Sequence, residues 1–264
     1  MNIFWHELRS RRIGLLAWSV SMAVFVWTSM VKYQTLTVDP ASTSQLLKTM
    51  PDTIKAVFGM NGLDAVTLPG YFGICFLFVA IMLAVHAGLL GSNLLTVEPL
   101  TRTTEFLYTR PLGRWQILHA KLAAGIVHLF ILWSITILTS YLSIELYANM
   151  DGFRHLLLVF MAAAAIIQLT LFAFGVAVAA FSRSAQLPSR LVAGAVFSSY
   201  AVALVSSTTQ YSWLRDLSVF KAFDAADIIH TASLKPQYVW AYFVLASVFL
   251  AFGIWSFLRR DLHS

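Results

Sequence analysis

The chain has 264 residues, of which 59% are hydrophobic and only 11% charged. A soluble domain carries about 25% charged residues, and a water-soluble fold of this length could not hide so much apolar surface; the excess must face lipid. One cysteine, Cys75, excludes an intramolecular disulfide and any multi-cysteine metal site, and reads as a small core residue; the net charge of +6 has a topological explanation given below.

The chain opens on a short basic segment, NIFWHELRSRR, and then runs into the first of six apolar stretches. These cover roughly 13–31, 71–97, 118–144, 156–181, 191–213 and 237–258. A helix needs about 20 mainly apolar residues to cross a hydrocarbon core about 30 Å thick, and all six suffice. None contains Asp, Glu or Arg; Lys121 falls in the first turn of the third, where it is expected to reach the interface. The first stretch is too long for a signal-peptide core and lacks a small-x-small site after it, so it reads as an uncleaved span. Prolines 40, 51, 69, 99, 111, 188 and 236 avoid every span interior, which predicts largely unbroken helices and disfavours transporters built on helices broken at mid-membrane. Between the first two spans, residues 32–70 carry apolar residues at helical spacing and predict short helices lying on the membrane surface; residues 214–236 also read as interfacial. Span 2 presents Ala80, Ala84, Gly88 and Ser92 at four-residue spacing, a face that lets another helix approach closely, either within one subunit or between two.

Orientation follows from Lys and Arg. With the N-terminus inside, Arg9, Arg11, Arg12, Arg102, Arg110, Arg114, Lys121, Arg183, Arg190, Arg259 and Arg260 are cytoplasmic, 11 of the 18 basic residues. The remainder lie in outer loops that are longer in total, so the positive-inside rule places both ends of the chain in the cytoplasm.

Motifs for other functions are missing. There is no G-x-x-x-x-G-K-[ST] loop for ATP phosphates, no H-E-x-x-H and no G-x-S-x-G. No catalytic residue, metal ligand or cofactor site is expected in this chain, and it is not expected to be an enzyme. His86, His128 and Gln168 lie inside spans 2, 3 and 4. Intramembrane polar residues are functional candidates by default, but without an acidic partner in the membrane these three read first as interhelical hydrogen-bonding groups, worth about 0.6 kcal/mol each. The same absence weighs against a proton- or cation-coupled secondary transporter.

The most informative segment follows span 2: VEPLTRTTEFLYTRPLGRWQILHAK, residues 97–121. Pro99 and Pro111 bracket an 11-residue stretch, about 16 Å long if helical. From the residues alone, a docking helix and a polar connector are equally compatible with it. The segment resembles the cytoplasmic coupling region of type-2 ABC transporter permeases, the six-helix membrane subunits of bacterial ABC exporters. Those proteins commonly carry Glu, then T-x-E-x-L, then P-x-x-R, then a lysine opening span 3. This chain has Glu98, Thr103, Glu105, Leu107, Pro111, Arg114 and Lys121 in matching places, with Arg102 where many members have glycine. The basic N-terminal segment resembles the family's elbow helix, LSVFKAF (217–223) an L-S-P-F segment, and RRDL (259–262) a common ending.

The resemblance implies an all-α polytopic membrane protein with six transmembrane helices, an N-terminal elbow helix and a cytoplasmic coupling helix between spans 2 and 3, forming one transmembrane permease domain over residues 1–264. It implies a multi-pass protein of the cell membrane that pairs with a second permease copy, identical or a paralogue. It also implies docking on a separate ABC ATPase subunit, which holds ATP and Mg, through Glu98, Arg102, Thr103, Glu105, Leu107, Pro111 and Arg114. The cargo would be hydrophobic or amphipathic: a drug, a peptide or a lipid-like molecule. Nucleic acid is not an expected partner. Outside this family, a secondary transporter or a membrane sensor or scaffold is the alternative.

Overall fold

The computed structural model describes residues 3–95, 113–182, 184, 186–209 and 213–259. These residues form helices and connecting turns, with no strand among them. A short helix α1 (Ile3–Ser10) leads into α2 (Arg12–Leu36), followed by two short helices, α3 (Pro40–Thr49) and α4 (Asp52–Val57). Next come α5 (Leu68–Leu94), α6 (Arg114–Tyr147), α7 (Arg154–Phe181) and α8 (Leu187–Thr208). Three short helices, α9 (Trp213–Leu217), α10 (Val219–Ala222) and α11 (Ala225–Thr231), precede α12 (Pro236–Arg259). Among the described residues six helices (α2, α5, α6, α7, α8 and α12) are long and apolar enough to cross a membrane, so the all-α, six-span reading holds. They are spans 1 to 6 below.

The helices differ from the apolar runs mainly at their ends. Span 3 starts at Arg114 and span 1 continues to Leu36, because a helix keeps its hydrogen-bonded ladder on leaving the hydrocarbon layer. Pro69 and Pro188 sit in the first turn of their spans and Pro236 begins span 6, where a missing N–H costs no helical bond. Residues 32–70 fold as expected into short helices; α3 has Pro40 in its first turn and Asp39 as its cap, accepting from Ser42 N at 3.2 Å. Five of the six exposed tryptophans mark two levels. Trp5, Trp115 and Trp255 lie at the end of the bundle with α1, and Trp213 and Trp240 at the end with α3 and α9–α11, as the two interfacial belts of a membrane protein require.

Spans 2 and 4 form the centre, and their contact is the most extensive in the chain. Glycine permits it. A methyl group on Gly175 would lie 2.3 Å from the Gly88 carbonyl oxygen, and one on Gly91 would lie 2.3 Å from the Phe172 carbonyl oxygen. The small stripe of span 2 is therefore consumed inside one subunit, with Ala80, Ala84, Gly88 and Ser92 all buried. Toward the α3 end, Phe160 closes on Phe76 and Phe72 with ring centroids 4.8 and 5.4 Å apart. Span 6 packs on span 4, span 1 on span 3, and span 5 on span 2.

Candidate functional site

The expected coupling residues Glu98, Arg102, Thr103, Glu105, Leu107 and Pro111 lie outside the described residues. Arg114 is described: it is the first residue of α6, half-buried, beside the stacked Trp115–His119 pair. The structure thus shows the frame on which residues 96–112 are mounted, with the chain leaving at Leu95 and resuming at Gly113.

That frame is built around a carboxylate. Glu7 is the buried residue of α1. Its Oε1 lies 3.1 Å from Lys121 Nζ on span 3, and its Oε2 accepts from Arg11 Nε at 3.2 Å. Lys121 Nζ also donates to the Leu94 carbonyl oxygen at 2.8 Å, and Arg11 Nη2 to that of Asn93 at 2.9 Å. Lys121 is 1% exposed. The expectation that it lies in the first turn of span 3 is therefore corrected: span 3 begins at Arg114, so Lys121 stands two turns into the helix and faces α1. A buried ammonium must be paired and hydrogen-bonded, and here it is both. Burial raises the Glu7 carboxyl, but Lys121 and Arg11 together outweigh it and hold the group below its ordinary range.

The last turn of a helix leaves carbonyls without intrahelical donors. In span 2 two of these, Asn93 and Leu94, receive charged donors from different elements, α1–α2 and span 3. Ser92 and Asn93 continue the network toward span 5, where Ser189 Oγ lies 3.2 Å from Ser92 Oγ and donates to Asn93 Oδ1 at 3.3 Å. Four elements thus converge where the chain enters residues 96–112. Sequence reasoning missed Glu7. Its signals were the Glu7/Arg11 pair at four-residue spacing on an amphipathic helix and a span lysine in want of an anion.

The three intramembrane polar residues stand apart from this network. Gln168 Nε2 donates across to the Leu129 carbonyl oxygen of span 3 at 3.4 Å. His128 Nδ1 lies 2.9 Å from the Ala124 carbonyl oxygen in its own helix. His86 meets the edge of Trp18 at 5.5 Å. Among the described residues no group of three or more His, Cys, Asp or Glu is placed to hold a metal ion.

The opposite end carries its own charges. Asp227 pairs with Arg215 and, at 2.8 Å, with Lys235; Asp224 pairs with Lys221; Tyr238 donates to Asp216 at 2.9 Å. Burial and the nearby Arg215 guanidinium press the Lys235 ammonium below its ordinary range, against the pull of Asp224. The Asp227–Lys235 and Asp216–Tyr238 contacts tie α9–α11 to the start of span 6, and the other two pairs lie within α9–α11.

A family model described as "ABC-2 family transporter protein" matches residues 1–262. No curated protein matches the chain.

Proposed function

Because the chain belongs to the ABC-2 family of transporter proteins, the membrane components of ABC transporters, we propose that it is the permease subunit of an ATP-driven exporter, paired with a second permease copy and docked on separate ATPase subunits. ATP and Mg belong to those partners, since this chain has no phosphate-cradling loop. The docking segment lies within residues 97–121, with Glu98, Arg102, Thr103, Glu105, Leu107, Pro111 and Arg114 in it. The α1 end faces the cytoplasm, as the excess of Lys and Arg on that side supports. Cargo passes between two permease copies; spans free of acidic residues suit a hydrophobic or amphipathic molecule such as a drug, a peptide or a lipid-like compound.

The observation that carries this reading is the family match over almost the whole length, together with six spans and a charged joint at the base of residues 96–112. The purified chain binds no ATP alone, and the tagged chain captures an ATPase subunit from its native membranes. In a Cys75→Ala background, cysteines at Asp39 and Asp52 react with an impermeant thiol reagent added outside, and one at Arg114 does not. Saturable ATP binding by the isolated chain, or outside labelling at position 114, would overturn the reading.

A further inference from the structure

Resting on that permease reading, we infer that Glu7, Arg11 and Lys121 form a clasp that makes the elbow helix and the two span ends flanking residues 96–112 move as one body, so that displacement of the docking segment reaches spans 2 and 3 together. Three observations carry it. First, one carboxylate bridges cations from different elements: Lys121 of span 3 at 3.1 Å and Arg11 at the α1–α2 junction at 3.2 Å. Second, both cations also bond the terminal carbonyls of span 2, at 2.8 and 2.9 Å. The chain is thus gripped immediately before it enters residues 96–112, and again at Lys121, about 10 Å along span 3 from Arg114 at 1.5 Å per residue. Third, the Glu7–Lys121 half of the grip is dry: Glu7 is 8% and Lys121 1% exposed, against 19% for the Arg11 side chain, so water competes little for the Lys121 bonds and salt screens them little. A span needing only to pack could carry leucine at position 121. A lysine there joins two elements through directed bonds, the kind of contact that carries displacement between rigid parts.

Glu7, Arg11 and Lys121 are therefore positioning residues. They touch neither nucleotide nor cargo, and the experiment separates transmission from mere stability. Removing Glu7 and Lys121 together takes out both ends of the buried pair and leaves Arg11, the more exposed of the three, with its bond to the Asn93 carbonyl oxygen; replacing a buried ion pair in this way is commonly tolerated. The variant is Glu7→Gln with Lys121→Met, captured with its ATPase subunit and compared with the wild-type complex. Hydrogen exchange of residues 40–57, at the far end of the bundle, is measured without nucleotide and after trapping with ATP and vanadate. In the wild type, trapping changes exchange there. In the double variant the complex assembles and hydrolyses ATP, but the far-end change falls at least fivefold. An undiminished far-end change overturns the clasp and leaves the permease reading standing. Failure of the double variant to accumulate in the membrane also overturns it, because the pair is then a folding staple. If the wild type captures no ATPase, or shows no far-end response, the permease reading itself fails and the clasp's role falls with it.

Discussion

Spans 2 and 4 and spans 5 and 6 answer the same bilayer in opposite ways. The most apolar windows of spans 2 and 4 are 67% and 61% buried inside the protein; those of spans 5 and 6 are 11% each. Spans 2 and 4 are also the two most apolar helices of the six. In water that pairing would be ordinary, because apolar surface flees solvent. In lipid there is no such drive, since acyl chains are as apolar as leucine. Small residues make the difference here. Gly88, Gly91 and Gly175 let two backbones meet at distances a side chain would forbid, whereas Phe197, Phe243 and Trp240 project from spans 5 and 6 and are exposed. The centre of a membrane bundle is set by what its helices lack.

The charges divide the same way, and the largest expected effect lies there. Glu7→Gln alone keeps the shape of the side chain but removes the carboxylate charge 3.1 Å from the buried Lys121 ammonium. Breaking a buried pair from one side costs about 3–5 kcal/mol, so the variant should lose a large part of its thermal stability in detergent. The cation of span 6 is a control. Arg259 lies over the exposed Trp255 ring at 4.6 Å, a contact worth about 0.5–1 kcal/mol at exposed sites. Arg259→Ala should therefore cost several-fold less than Glu7→Gln in the same thermal denaturation assay. Equal losses would erase the distinction between centre and rim.

Packing comes next. Gly175→Ala places a methyl group 2.3 Å from the Gly88 carbonyl oxygen, and that neighbour is backbone that cannot rotate away. Overpacking typically costs about 1–3 kcal/mol, and an immovable obstacle argues for the upper end. A fall in melting temperature is the expected readout, together with faster hydrogen exchange in both spans.

A smaller effect follows from pH. The Glu7 carboxyl is held below its ordinary 4.5 in the folded chain, by Lys121 and Arg11 against the upward push of burial. The folded state thus binds fewer protons than the unfolded state in that range. The stability from this group is fully present above about 4.5 and is lost as pH falls through the lower folded value. Melting temperatures followed downward from pH 5 should drop more in the wild type than in Glu7→Gln with Lys121→Met.

Much of this was legible in the sequence, and the exceptions have physical causes. Six spans follow from apolar length alone. Their ends do not, because helices run on past the hydrocarbon, and this misplaced Lys121. The Ala80–Ser92 stripe showed its face but not its partner, since a small face fits a helix of the same chain as well as one of another. Glu7 and Lys121 stand at opposite ends of long intervening segments, and no local pattern announces that pairing. Only the need of a buried lysine for an anion hints at it. Arg114 is the one expected docking residue that the structure describes, and Glu98, Arg102, Thr103, Glu105, Leu107 and Pro111 lie outside the described residues.

The smallest expected effect sharpens the comparison most, because it uses the same substitution at a different glycine. Gly194 lies on span 5, and a methyl group added there meets nothing within 4 Å. Alanine has the higher helix propensity, by about 0.8–1.0 kcal/mol in a solvated helix interior, and the gain should be smaller in a helix already held by the bilayer. Gly194→Ala should therefore leave the stability of the single chain in detergent unchanged or slightly raised, within about 0.5 kcal/mol as for surface substitutions generally. The Gly175 and Gly194 variants differ in neither chemistry nor intrinsic propensity, so any gap between their melting temperatures measures packing alone. A gap near zero would mean that the central crossing tolerates separation. A large loss at Gly194 would mean that the exposed face of span 5 is covered in the folded protein, and the division into centre and rim would have to be redrawn around that contact.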